Sequence, residues 1–124
     1  MKVLIVDDSG VMRKIISREL IALNIAEGNI FEANDGLDAI KQMENSQFDV
    51  VLLDWNMPNM LGIDVLKTMR SKGIKSAVMM ITTESERANV IQAIQAGANN
   101  YLAKPFTKED FQAKFNQMLG VPAS

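Results

Sequence analysis

Neither cysteine nor histidine occurs in this chain. The first absence removes disulfides, thiol nucleophiles and thiolate-held zinc. The second removes the commonest general base and the commonest transition-metal ligand. No apolar run approaches the ~18 residues needed to cross a bilayer. The opening MKVLIVDDSG is cut off by Asp7-Asp8 well short of a signal peptide. A net charge of −2 over 124 residues points to no nucleic-acid or polyanion partner. The expected protein is cytoplasmic, without a membrane segment, and its chemistry must run on carboxylates, lysines, hydroxyls, backbone or a hard metal ion.

What is present is a regular alternation. Val3–Val6, 29–33, Val50–Leu53, Ala77–Ile81 and Tyr101–Ala103 read as short strands. Each precedes apolar residues at helical spacing: Val11, Met12, Ile15, Ile16, Leu20 and Leu23; Leu37, Ile40 and Met43; Val65, Leu66 and Met69; Val90, Ile91 and Ile94; Phe111, Phe115 and Leu119. Five βα units with strands apolar on both faces predict an α/β fold, a parallel sheet covered on both sides. Gly73, Gly97 and Gly120 each follow a helical segment, where a left-handed residue closes the last turn. Thr83-Glu84-Ser85-Glu86 and Thr107-Lys108-Glu109-Asp110 read as capping boxes, the second with Phe106 placed to staple onto Phe111. No linker, low-complexity segment or charge block appears, so a single domain over 1–124 is expected, with no output domain.

The polar residues gather where strands end. Val50-Val51-Leu52-Leu53 runs into Asp54, followed by the turn-forming Asn56-Met57-Pro58. A buried strand has no use for a charge, so Asp54 either marks an exit from the core or has chemistry to do. The first strand ends in Asp7-Asp8, the fourth in Thr82-Thr83 and the fifth in Lys104-Pro105. Carboxyl ends of parallel strands share one edge, and open α/β folds bind ligands there. If the first and third strands are neighbours, about 4.8 Å apart, their three acids share a cleft. Packed carboxylates push one another toward the neutral form, and a hard divalent cation, Mg²⁺ or Mn²⁺, offsets that. Lys104 would add a mobile positive charge and Thr82 a hydroxyl. The plausible nucleophile is then a carboxylate, which can take up phosphate as an acyl phosphate.

Plainer readings stand beside these. Asp8 or Asp54 alone could cap the next helix, Thr83 reads mainly as a cap, and Lys104 alone could be a solvated lysine. Asp35-Gly36 with Asp38 reads as turn and helix start. Met69, Met79, Met80 and Met118 read as core filler rather than a thioether site. What favours chemistry is the joint occurrence of Asp-Asp, Asp, Thr and Lys, each terminating the expected strand.

On "VLIVDDS", "VVLLDWNMPNMLG", "MMITTE" and "AGANNYLAKPFT" the sequence resembles the receiver domains of two-component response regulators, most closely the stand-alone chemotaxis type, from about Lys2 to Leu119. The resemblance implies a doubly wound five-stranded sheet of order 2-1-3-4-5 with five helices. It makes Asp54 the acceptor of phosphate from a sensor histidine kinase, and Asp7 and Asp8 the acid pair. The Asn56 backbone carbonyl becomes a further Mg²⁺ ligand. Thr82 and Lys104 become the phosphate-sensing pair, Tyr101 an aromatic switch, and Asn56 and Glu84 the positions that tune phosphate loss. It implies a cis Lys104-Pro105 bond. The implied partners are the kinase, a flagellar motor switch protein or another downstream target, and a phosphatase. Catalysis would be limited to the chain's own phosphorylation and dephosphorylation.

Three positions depart from the family pattern: Leu61 stands where a small polar residue is usual, Thr83 where alanine is frequent, and Gly10 loosens the acid-pair loop. A phosphorelay intermediate using the same Asp54 is the alternative within signalling. A carboxylate-nucleophile phosphatase of the haloacid dehalogenase type would want Asp-x-Asp after the first strand, and here the acids are contiguous. No glycine-rich nucleotide fingerprint appears.

Overall fold

The computed structural model describes residues 1–83 and 87–120. Its strands are β1 (Val3–Val6), β2 (Ile30–Ala33), β3 (Val50–Asp54), β4 (Ala77–Thr82) and β5 (Asn100–Ala103). The helices are α1 (Gly10–Ala22), α2 (Gly36–Asn45), α3 (Gly62–Ser71), α4 (Arg87–Gln95) and α5 (Lys108–Leu119). All strand pairs are parallel, in the order β2-β1-β3-β4-β5. The fold is the doubly wound five-stranded sheet expected.

The strands are continuously apolar because each face meets a helical layer. Alternate residues Leu4, Val6, Val51, Leu53, Val78 and Met80 pack with Ile40 and Met43 of α2, with Val65, Leu66 and Met69 of α3 and with Ala93 of α4. The intervening Val3, Ile5, Val50, Leu52, Met79, Ile81 and Leu102 meet Ile16 and Leu20 of α1 and Phe111 and Phe115 of α5. Each such side chain removed from water contributes about 1.5–3 kcal/mol. Met69, Met79 and Met80 lie in this core as filler, and Met118 packs against it.

Helix ends follow local chemistry. Ser9 accepts from the Met12 N–H at 3.2 Å and caps α1. Asp35 accepts from the Asp38 N–H at 2.8 Å and caps α2. Thr107 and Asp110 form the reciprocal box at α5, with the Phe106 and Phe111 rings 5.8 Å apart. Gly73, Gly97 and Gly120 have positive φ after α3, α4 and α5. The capping box read at Thr83–Glu86 lies outside the described residues beyond Thr83.

Some expectations shift. Asn29 closes a single 3₁₀ turn instead of opening β2. β5 begins one residue early, at Asn100, whose side chain accepts from the Tyr101 N–H and donates to the Lys114 carbonyl. Val11 is 71% exposed and Leu37 64%, so helical spacing overstated the buried faces of α1 and α2. Arg70 of α3 donates to the carbonyls of Gly97 (2.8 Å) and Ile74 (2.7 Å), tying the turn after α4 to the helix before β4.

Candidate functional site: an acidic cleft with one ammonium

Register assembles the site. Val6 pairs with Leu53 across β1 and β3, so the next residues, Asp7 and Asp54, emerge side by side at the carboxyl rim. Carboxylate oxygens of Asp7, Asp8 and Asp54 lie within 4.8 Å of one another. Thr82 ends β4 beside Ala103, and Lys104 follows directly, its N–H donating to the Thr82 carbonyl at 2.7 Å. Among the described residues the buried polar or charged side chains are Asp7, Asp54 and Thr82. All three stand in this cleft.

Lys104 organises the charge. Its Nζ lies 2.9 Å from Asp7 Oδ2 and 3.3 Å from Asp54 Oδ1, and all three side chains are largely screened from solvent. Asp54 is nonetheless pushed up from 3.8 to about 6, first by burial and then by the neighbouring Asp7 charge, with Lys104 pulling the other way. Burial disfavours the Lys104 ammonium, but its bond to Asp7 and the two negative charges prevail and raise its pKa. At neutral pH Asp54 is therefore mostly ionised, an anion held in place at an energetic cost.

The donor set fits a hard cation. Three carboxylates against one ammonium leave excess negative charge, and the ligands are all oxygen, as Mg²⁺ prefers. Asp7 is already well anchored: Oδ1 accepts from the Ser9 N–H at 2.9 Å and Oδ2 from Lys104. Asp8 is exposed and open to an incoming ligand. Neither Asp8 nor Asp54 caps a helix, since Ser9 serves α1 and α3 has no side-chain cap.

The remaining sequence-predicted residues fall around this centre. Asn56 is exposed in the turn two residues beyond Asp54, and Thr83 is exposed at the mouth. Tyr101 is half-buried, with Lys114 Nζ 4.7 Å from its ring centre. The Lys104-Pro105 peptide is cis. Glu84 lies outside the described residues.

Two supports escaped the sequence reading. Gly62 donates its N–H to the Trp55 carbonyl at 2.8 Å, and a Cβ there would overlap the carbonyl oxygen of Asp54 and stand 2.9 Å from Trp55 Cα. Arg13 reaches back from α1 to the Asp7 carbonyl (Nη1, 2.7 Å) and outward to Glu32 of β2 (Nε, 2.8 Å). Gly62 stands inside a quoted motif, which was a signal, though not of this contact. Arg13 carried none, because its partners are fixed only by tertiary packing.

Residues 3–116 match the family model described as response regulator receiver domain. Chemotaxis protein CheY-3 of Vibrio cholerae is 44% identical over 120 residues, covering 95% of this chain and 91% of that protein. Chemotaxis protein CheY1 of Helicobacter pylori is 42% identical over 123 residues, covering 97% and 98%. Among solved structures, Vibrio cholerae chemotaxis protein CheY4 superposes with a TM-score of 0.85 at 30% identity, covering 94% of this chain and 97% of that one. The receiver domain of the Francisella response regulator 1452 gives 0.86 at 28%, covering 96% of each.

Proposed function

The chain belongs to the response regulator receiver domain family, close to the CheY-type chemotaxis regulators, and on that footing we propose that Asp54 accepts a phosphoryl group from the phosphohistidine of a sensor kinase. The observation that carries the reading is Asp54 itself: buried, raised to about 6, and contacted by Lys104 within an acid cluster at the carboxyl rim. A carboxylate oxygen of Asp54 attacks phosphorus, the phosphorus–nitrogen bond breaks, and its electron pair returns to the imidazole. Asp7, Asp8, Asp54 and the Asn56 backbone carbonyl are the proposed ligands of Mg²⁺, with Mn²⁺ as substitute. When bound, such an ion would supply positive charge for the phosphoryl oxygens, in chemistry dominated by positioning and electrostatics. Lys104, freed from Asp54 once that oxygen carries the phosphoryl group as an acyl phosphate, donates to the phosphate, and Thr82 is the proposed hydroxyl partner.

The output is proposed to be a change in affinity of the face formed by α4, β5 and α5. A hydrogen bond from Thr82 contributes about 1 kcal/mol and a charged one from Lys104 about 1.5–3. That shifts a two-state equilibrium by about two to three decades, whereas inverting a 1:99 population needs about 5.5 kcal/mol. Phosphate therefore poises the domain and a bound partner completes the switch, with Tyr101 moving at the centre of the face. On α4 Gln95 is exposed, and Ile91 and Ile94 are each 48% exposed, so the described part of this face is mixed; the Arg87 side chain lies outside the described residues. The relatives are chemotaxis proteins by name, which supports a role in chemotaxis; the target we propose is a motor switch protein, ahead of the phosphorelay alternative.

Acetyl phosphate with Mg²⁺ tests the acceptor: intact-mass analysis should show one added phosphoryl group, absent in Asp54→Asn. Labelling retained in that variant would place the acceptor elsewhere. Partner affinity that is equal with and without an acyl-phosphate mimic would remove the switching mechanism.

A further inference from the structure

We infer that Arg13 is a positioning residue for the acid pair, acting through the main-chain carbonyl of Asp7; the inference rests on reading Asp7, Asp8 and Asp54 as a divalent-cation site. At Asp7 the chain leaves the sheet. Its N–H still donates to the Ala33 carbonyl at 3.1 Å, continuing the β1–β2 ladder by one residue. Its own carbonyl accepts instead from Arg13 Nη1 at 2.7 Å. Asp7 is 1% exposed, and a buried carbonyl without a donor is strongly disfavoured.

That carbonyl and the Asp8 N–H belong to one planar peptide unit. Holding the oxygen fixes the plane, and the plane sets where the exposed Asp8 carboxylate stands relative to the buried Asp7. Without Arg13 the unit can turn while Asp7 Oδ1 stays with the Ser9 N–H and Oδ2 with Lys104. The acid spacing would then spread without unfolding the sheet.

Arg13 is itself held in line. Its Nε donates to Glu32 Oε1 at 2.8 Å, and the Glu32 main-chain carbonyl is bound by Gln42 Nε2 of α2 at 2.8 Å. The guanidinium thus pairs with the Glu32 carboxylate and not with those of Asp7 or Asp8, so it does not compete there with a cation. The planar guanidinium serves the carboxylate and the carbonyl from two separate nitrogens in a fixed fork, whereas a lysine would have to reach both from a single nitrogen.

The test is a Mg²⁺ titration of the full chain read by Trp55 emission, since Trp55 is buried next to Asp54. Thermal unfolding of each variant serves as a folding control. Arg13→Met should weaken Mg²⁺ binding about tenfold, Arg13→Lys about threefold to fivefold and Glu32→Gln about twofold to threefold. The acetyl-phosphate labelling rate at saturating Mg²⁺ should stay within about threefold of the parent, because Arg13 touches neither Asp54 nor the incoming group. Folded variants that lose thermal stability but bind Mg²⁺ as the parent does would overturn the assignment. So would a labelling defect that saturating Mg²⁺ does not relieve. If Arg13→Met fails to fold, Arg13→Lys and Glu32→Gln decide on the same criteria. A parent chain with no Mg²⁺ response removes the cation site and this inference together, whereas a responsive parent with equally tight variants removes the inference alone.

Discussion

At the amino-terminal rim of the sheet the exposed Asp49 accepts from the Lys2 N–H at 2.7 Å, and Glu44 faces Lys72 at 3.8 Å. At the carboxyl rim Lys104 stands 2.9 Å from Asp7 and 3.3 Å from Asp54. Acids and lysines occur at both ends, but solvent reaches the first set and hardly reaches the second. The amino rim also has a hollow of about 690 Å³, lined by Met43, Phe48, Asp49, Ile74 and Lys75 among others. Volume does not locate the chemistry here. Burial does, because withdrawing water from Asp54 is the largest cause of its raised pKa.

The sharpest way to break this contrast is paired neutralisation. Asp54→Asn should abolish acyl-phosphate labelling, a loss of several orders of magnitude, while Asp49→Asn at the other rim should label at the parental rate. Intact mass spectrometry reads both. A labelling defect in Asp49→Asn would mean the two rims are coupled.

Glycine substitutions give the next largest effect. Gly62→Ala must displace the Asp54 carbonyl and should cost about 3 kcal/mol in urea unfolding. Gly28→Ala meets nothing within 4 Å and should change stability by less than about 0.5 kcal/mol. Equal costs at the two positions would show that the β3–α3 turn yields more than its geometry allows.

The raised Asp54 pKa makes a signed prediction for pH. Between the unperturbed value of 3.8 and about 6 the folded chain binds more protons than the unfolded one, so stability falls as pH rises through that window. The loss is complete above about pH 6 and amounts to roughly 2–3 kcal/mol. Without metal, Asp54→Asn should flatten this slope and be the more stable protein at pH 7; added Mg²⁺ should restore the parent. A parental profile flat from pH 4 to 7 would contradict the picture of an ionised, confined carboxylate.

Ion pairs provide the smallest and most direct comparison. Lys104→Met strands two buried carboxylates and should cost about 2 kcal/mol at pH 7. Lys72→Met breaks an exposed pair and should cost less than about 0.5 kcal/mol. Denaturant midpoints measured side by side would settle whether confinement or mere pairing sets the energy.

Much of this was readable beforehand, for physical reasons. Val3–Val6, Val50–Leu53 and Ala77–Ile81 are apolar without alternation, which only a doubly covered sheet accommodates. The acids and Thr82 follow those runs directly, as Lys104 follows Tyr101–Ala103, so their convergence needed nothing beyond parallel pairing. The reading failed where tertiary contacts overrode local pattern. Asn100 disfavours strand by propensity, yet it belongs to β5 because α5 supplies partners for its side chain. Val11 and Ile15 are spaced like core residues but project from α1, since Ile16 and Leu20 already fill the space against the sheet. The bond from Arg13 to Asp7 crosses between a helix and a strand end and leaves no imprint on residue spacing.

The close fit at Gly62 divides the segment after Asp54 into two regimes of permitted change. Residue 62 is shut to any side chain, and Trp55 is clasped on both sides, through its N–H to Ile81 and its carbonyl to Gly62. Between them, the side chains of exposed Asn56, Pro58 and Leu61 face water and can be exchanged without disturbing the ledge on which Asp54 sits, whereas Asn59, at φ 70°, holds a left-handed turn that few other residues adopt. A lineage of such chains, or an engineer, could edit the side chains of that short arc alone and keep the footing of Asp54 intact.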